Sequence, residues 1–164
     1  MGPRVDMKKA DDREVAGAIA ELLEALGRDI VSRGFAGDLN PAQWAALRFV
    51  DRANPSARSV TAFARAHRTT TGTATRTIAA LVRKGHLLRF PSTEDRRYGR
   101  LELTAKGEEA LRADPLREVA AAIGSLPCGQ RRALLDALWA LQRVVVPEPA
   151  RADSIAASGD VPVR

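Results

Sequence analysis

Residues 58–106 constrain this chain more than any other stretch. A short apolar run capped by Ser59, with Val60, Phe63 and Ala64 facing inward, is followed by the turn Arg68-Thr69-Thr70. A longer run then extends from residue 71 to about residue 84, with Ile78, Leu81 and Val82 as its buried side. Both runs have helical spacing, and Gly85 supplies a left-handed stop for the second. Leu87, Leu88 and Phe90 read as a strand, residues 91–99 as a loop, and residues 100–103 as the returning strand, with Leu101 and Leu103 on one face. The predicted order is therefore helix, tight turn, helix and two-stranded hairpin, with arginines at the hairpin tip.

The same stretch carries the charge. It holds 11 Lys and Arg against Glu94, Asp95 and Glu102, a net +8, whereas the whole chain carries +6 and the remainder is therefore at −2. A localised basic field of this kind is what a polyanion such as DNA selects, because each neutralised phosphate releases counterions.

The rest of the chain reads as helices around this unit. Val15, Ile19, Leu22, Leu23, Leu26, Ile30 and Val31 recur at helical spacing over residues 11–32, with Asp11, Asp12 and Glu14 in the first turn, where carboxylates suit the helix dipole. Gly34 and Gly37 end that helix. Asn40-Pro41 starts the next one, Asn as N-cap and Pro at the first position, burying Trp44, Leu47 and Val50 up to about residue 53. Thr104 caps a helix that meets Pro115 about three turns later and either kinks there or breaks just before it. Apolar positions resume at Leu116, Val119, Ala120 and Ile123. A last helix after Pro127 carries Leu134, Leu135, Leu138, Leu141 and Val145. Residues 1–10 are expected to form a loose arm and residues 147–164, rich in Pro, Ala, Ser and Asp, a disordered tail.

A length of 164 residues fits one domain with a real core, and aromatic residues at 4% leave that core to Leu, Val, Ile and Ala. The single Cys128 forms no internal disulfide, which fits a reducing, cytoplasmic compartment. No apolar run approaches the roughly 20 residues of a membrane span, and the basic start lacks the apolar stretch of a signal peptide. The excess of Arg over Lys and the abundance of Ala point to a GC-rich bacterial genome.

Taken in order, these pieces resemble the MarR family of winged helix-turn-helix transcriptional regulators over residues 11–146, nearly all of the ordered chain. Leu39-Asn40-Pro41-Ala42-Gln43-Trp44-Ala45-Ala46-Leu47 looks like the family's second helix, and Phe63-Ala64 falls where the family has Leu-Ala. Thr73-Ala74-Thr75-Arg76 through Leu81, with Gly85-His86-Leu87-Leu88, is similar to the recognition helix and its exit. Asp95-Arg96-Arg97, then Leu101-Glu102-Leu103-Thr104 and Gly107, looks like the wing signature. The chain departs from the family at His67, where an apolar residue is usual. It also departs at Thr70, Thr71 and Gly72, a small and flexible opening to the recognition helix, and at Ala80, where a basic residue is frequent.

The resemblance implies a mostly α fold with a small β-hairpin wing: a winged helix-turn-helix, with its DNA-binding core at about residues 39–104, flanked by N- and C-terminal dimerisation helices. The implied partners are double-stranded DNA, a second copy of the chain joined through the first and the C-terminal helices, and a small-molecule effector of unspecified identity. No membrane partner and no cofactor are implied. A helix laid in the major groove needs small or polar residues at its N-terminal end. Thr70, Thr71, Thr73 and Arg76 meet that need, with Thr77 alongside; threonine places a hydroxyl and a methyl against bases, and arginine grips guanine bidentately. Arg97 is the candidate for insertion into the minor groove, with Asp95 holding its guanidinium. Arg96, Arg100, Arg65, Arg68 and Arg58 are phosphate candidates, which position without specifying. The first and last helices carry more apolar positions than a small winged domain covers, and pairing with a second chain would bury the excess. Trp44 is expected in the core, with an effector pocket beside it as the less favoured role. Cys128 sits at a helix start, where the dipole favours a thiolate, but a plain thiol is expected.

The resulting expectation is a dimeric repressor reading a pseudo-palindromic operator. The rival is a winged-helix module that docks an acidic protein partner without specific DNA readout. Enzyme chemistry is not expected: there is no Ser-His-Asp or Cys-His constellation, no phosphate-cradling glycine loop and no metal spacing.

Overall fold

A computed structural model of the chain describes residues 11–35, 37–91 and 99–145. The order of elements is α1 (Asp12–Arg33), α2 (Pro41–Arg52), a single 3-10 turn (Pro55–Ala57), α3 (Val60–Ala66), α4 (Thr71–Arg83), β1 (Leu87–Phe90), β2 (Arg100–Leu103), α5 (Ala105–Arg112), α6 (Leu116–Gly124) and α7 (Cys128–Val145). The fold is mostly α with a two-stranded hairpin, as expected. The expected arm at residues 1–10, tail at 147–164 and wing tip with Asp95, Arg96 and Arg97 lie outside the described residues.

Short polar side chains set where the helices begin. Asn40 accepts the backbone N–H of Gln43 at 2.9 Å while the Gln43 side chain accepts that of Asn40 at 3.2 Å, a complete capping box with Pro41 at the first helical position. Ser59 caps α3 through the N–H of Ala62, Thr70 caps α4 through that of Thr73, and Thr104 caps α5 through that of Gly107. Gly85 ends α4 at φ +76°, where it carries no Cβ penalty. The hairpin is antiparallel, with Leu87 opposite Leu103 and Phe90 opposite Arg100. It is anchored to the helices where Leu101 N–H donates to the Arg58 carbonyl at 2.8 Å.

The chain divides after Val119 into two compact units. The core of the first is built by α2, α3, α4 and the hairpin: Leu47, Val50, Ile78, Leu81, Leu87 and Leu101 are its largest fully buried side chains. Ala74, rather than Val82, completes the inner face of α4; Val82, at its edge, is exposed. The approach of α5 to the α4–β1 turn is close enough that a Cβ on Gly107 would run into the carbonyl oxygen of His86. The helix after Thr104 breaks rather than kinks. It ends at Arg112, and Asp114 restarts the chain as α6 by accepting the backbone N–H of Leu116 at 2.9 Å.

No residue of α1 is buried. In the second unit the same holds for α7, whose turn from α6 is tied by Arg131 donating to the Gly124 carbonyl at 3.0 Å.

Candidate nucleic-acid interface

Helix α4 is two-sided. Ala74, Ile78 and Leu81 face the core, which leaves Thr71, Thr73 and Arg76 exposed and Thr77 partly so. Four of the residues expected to face DNA are also linked to one another through Thr73. The Thr70 hydroxyl donates to that of Thr73 at 3.0 Å, Arg76 Nη2 lies 3.4 Å from the same oxygen, and Thr77 donates its hydroxyl to the Thr73 carbonyl at 3.1 Å. Thr70 is thus a cap as well as a surface hydroxyl. The opening expected to be flexible is an ordered first turn: Thr71 and Gly72 are helical, and a Cβ on Gly72 would meet only the Thr70 hydroxyl, at 4.0 Å.

Arg65 lies exposed in the last turn of α3, and Arg68 takes a left-handed conformation, φ 49°, in the turn that aims α4. That is an uncommon backbone for a residue with a Cβ. It lets Thr69 N–H reach the Ala64 carbonyl at 3.0 Å, which closes the turn. Arg65, Arg68 and the opening of α4 are therefore neighbours along one short connection. No acidic residue occurs between Asp51 and Glu94, so nothing on this segment opposes their charge.

Other basic residues of the stretch act inside the fold. Arg58 Nε donates to the Ala53 carbonyl at 3.0 Å. Lys84 reaches the Asp38 carbonyl and, at 3.1 Å, Gln43 Oε1; Lys106 donates to the Lys84 carbonyl at 2.8 Å. Arg100, the first residue of β2, pairs with Glu102 and lies 5.8 Å from the Phe90 ring centre, so part of its charge is spent at the base of the hairpin. The outward-facing field is consequently narrower than the count of eleven cations implied.

His67, the departure from the expected apolar residue, closes α3 as a ring among rings. Its centre is 4.7 Å from that of Phe63 and 6.2 Å from that of Phe49. Burial and then the Arg48 guanidinium lower its pKa below the ordinary 6.5. The imidazole packs against these rings at the edge of the core while the residue itself stays exposed.

Two features escaped the sequence. One is a salt bridge between Arg48 and Asp114, 66 residues apart in sequence, at 2.8 Å with Asp114 7% exposed. Asp114-Pro115 is the same helix-start signal as Asn40-Pro41, and would have located one partner. The other is a cavity of about 160 Å³ beside it, lined by Ile30, Val31, Trp44, Arg48, Pro115 and Leu116. Trp44 is both a core residue, 5% exposed, and a wall of this cavity. Cys128 is exposed at the first residue of α7. Among the described residues no cluster of three or more His, Cys, Asp or Glu is arranged to hold a metal ion, and no helix is long and apolar enough to cross a membrane.

Comparison with known proteins bears on this geometry. No curated protein sequence matches the chain, but solved structures do. MepR of Staphylococcus aureus in its DNA-binding conformation superposes with a TM-score of 0.66 at 16% identity, covering 77% of this chain and 98% of that one. MarR of the same organism, in complex with salicylate and kanamycin, gives 0.61 at 18% identity, covering 84% and 93%. The regulator BldR of Sulfolobus solfataricus gives 0.58 at 21%, covering 85% and 98%. The MarR family model matches residues 37–97, from the approach to α2 through α4 to the wing signature. The match spans the winged helix-turn-helix of this chain, and the solved structures share its fold.

Proposed function

We propose that the protein is a cytoplasmic, homodimeric repressor that reads a pseudo-palindromic operator, with α4 in the major groove and the wing in the minor groove. The observation that carries this reading is the outward face of α4: Thr73, Arg76 and Thr77 beside Arg65 and Arg68, on a segment free of carboxylates from residue 52 to residue 93. A neutral-to-basic helix face rich in hydroxyls offers donors to base edges and phosphates alike, and has no charge that repels them. Thr70 and Thr71 at the helix start, Arg96 and Arg100 toward phosphates, and Arg97 steadied by Asp95 in the minor groove complete the proposed contact set. Arg100 is the weakest member because Glu102 already engages it.

The dimer is supported by the uncovered apolar side chains of the outer helices. Ile19, Leu22 and Leu26 on α1 and Leu135, Leu138 and Trp139 on α7 are each 42% exposed or more. So many large apolar groups on two helices is the pattern of a surface made to be covered, and a second copy supplies an identical one. A twofold dimer then presents two α4 helices to half-sites about one turn of DNA apart. The cavity beside Trp44 and Arg48, apolar with one cation at its edge, is the place we assign to an effector.

Selection of bound duplexes from a random library, with the enriched site titrated at two salt concentrations, tests the reading. An enriched pseudo-palindrome with an A·T-rich flank and a steep salt dependence is the expected result. Salt-sensitive binding with no enriched motif would make the protein a non-specific DNA binder, and no binding at low salt would favour a winged-helix module for an acidic protein partner.

A further inference from the structure

The Arg48–Asp114 pair belongs neither to the basic face nor to the uncovered helices. Asp114 is a carboxylate with only 7% of its surface exposed, and every oxygen it has is used. Arg48 Nη1, from the middle of α2, donates to Oδ1 at 2.8 Å and to Oδ2 at 3.0 Å, while Oδ1 also accepts the Leu116 N–H. The main chain repeats the pattern: Asp114 N–H donates back to the Leu111 carbonyl at 3.3 Å, and its own carbonyl accepts Arg117 N–H at 2.9 Å. One residue therefore ends α5, begins α6 and is clamped to α2.

A buried ion pair adds little net stability, since desolvation of both partners offsets most of their attraction; apolar side chains of similar volume would hold α2 to this junction equally well. What the pair adds is direction, because a guanidinium and a carboxylate meet well only over a narrow range of distances and angles. The helix that Arg48 sits on packs its Leu47 and Val50 in the same core as Ile78 and Leu81 of α4. The helix that Asp114 starts leads in sequence to α7. From the recognition helix toward the C-terminal apolar face, the chain passes through this one clamped junction.

We propose that Asp114, held by Arg48, is a positioning residue that fixes the direction in which α6 leaves the winged helix-turn-helix, and thereby the half-site spacing the dimer accepts. The inference rests on the dimeric, operator-reading function proposed above. One base pair more or less between half-sites moves them by about 3.4 Å along the helix axis and rotates one against the other. A stiff junction penalises that change and a loose one absorbs it.

The test uses the full chain and duplexes carrying its two half-sites at native spacing, at one base pair fewer and at one more, together with a single half-site. Asp114→Asn keeps the size and the capping oxygen and removes the charge. The unaltered protein is expected to prefer native spacing by ~tenfold or more, the penalty typical of a site misfit. Asp114→Asn is expected to bring that preference within about threefold, with the dimer and the single half-site affinity unchanged. Arg48→Met/Asp114→Asn, which leaves neither partner stranded, should give the same flattened profile. A spacing profile unchanged in both variants overturns the inference, as does a loss of single half-site affinity in step with a lowered melting temperature, which would make the pair structural only. If the unaltered protein shows no spacing preference, the dimeric reading fails and takes the inference with it; that outcome is read from the unaltered protein alone.

Discussion

The winged core and the two outer helices are built from the same apolar residue types and treat them oppositely. In the core, α2 and α4 bury Leu47, Val50, Ile78 and Leu81 completely. Helices α1 and α7 are longer, 22 and 18 residues, yet bury nothing. Length and amphipathicity therefore do not decide burial here; what decides it is whether the chain folds a partner surface onto the apolar side. For α4 that surface is supplied by α2, α3 and the hairpin. For α1 and α7 the chain supplies no such surface among the described residues, and under the dimeric function proposed above a second copy would supply it.

The comparison breaks most directly at Leu81. Leu81→Ala leaves a cavity where every neighbour is fixed, and should cost about 2–5 kcal/mol in a urea melt; a cost near zero would mean the core is not the stable part. Gly107→Ala is the second test of core completeness. Its Cβ would press on the main chain of His86 rather than on a flexible side chain, so a loss of ~3 kcal/mol is expected, the upper end for overpacking. On the other side of the contrast, Leu138→Glu adds a charge to a side chain already 42% exposed in the single chain. The monomer's stability should hardly change, while the dimer should weaken ~100-fold or about 2.7 kcal/mol by sedimentation; an unchanged dimer would remove α7 from the interface. Arg76→Ala lies within the core's outward face and touches no packing. It should reduce discrimination between operator and mismatched site by ~1–3 kcal/mol if Arg76 reads a base, whereas uniform weakening on all sequences would make it a phosphate contact.

The contrast also explains what could be read from the residues beforehand. The caps Asn40, Ser59, Thr70 and Thr104, the left-handed Gly85 and the strand alternation at Leu101 and Leu103 act within a few positions of themselves, so their signals are local and the elements followed. The burial of Ala74 in place of Val82 is a rotation of α4 by a fraction of a turn, which depends on how α2 and α3 pack, and periodicity over 13 residues does not resolve it. Arg58, Lys84 and Lys106 counted toward a basic field because charge is visible in a sequence and a hydrogen bond to a distant carbonyl is not. The Arg48–Asp114 pair was hidden for the same reason, since 66 residues separate its partners. The exposure of Thr71, Thr73 and Arg76 on α4 was legible because an exposed helix face needs little tertiary information beyond the helix itself.

His67 gives the smallest effect and the finest test of the core. Its ring packs against Phe63 and Phe49 at the edge of the core, and burial with the nearby Arg48 lowers its pKa from 6.5. The unfolded chain therefore takes up this proton at higher pH than the folded one. Stability from this group is complete above about pH 6.5 and is lost as pH falls from there toward the lowered folded value, below which it stays level. Because the residue is exposed, solvent screens the effect, and a modest decline between pH 7.5 and pH 5.5 in urea melts is expected. His67→Phe keeps the aromatic packing and removes the proton, so its stability should fall less over the same range. Parallel curves for the two proteins would show that the ring is no more tied to the core than a surface side chain is, and that the core ends at Phe63.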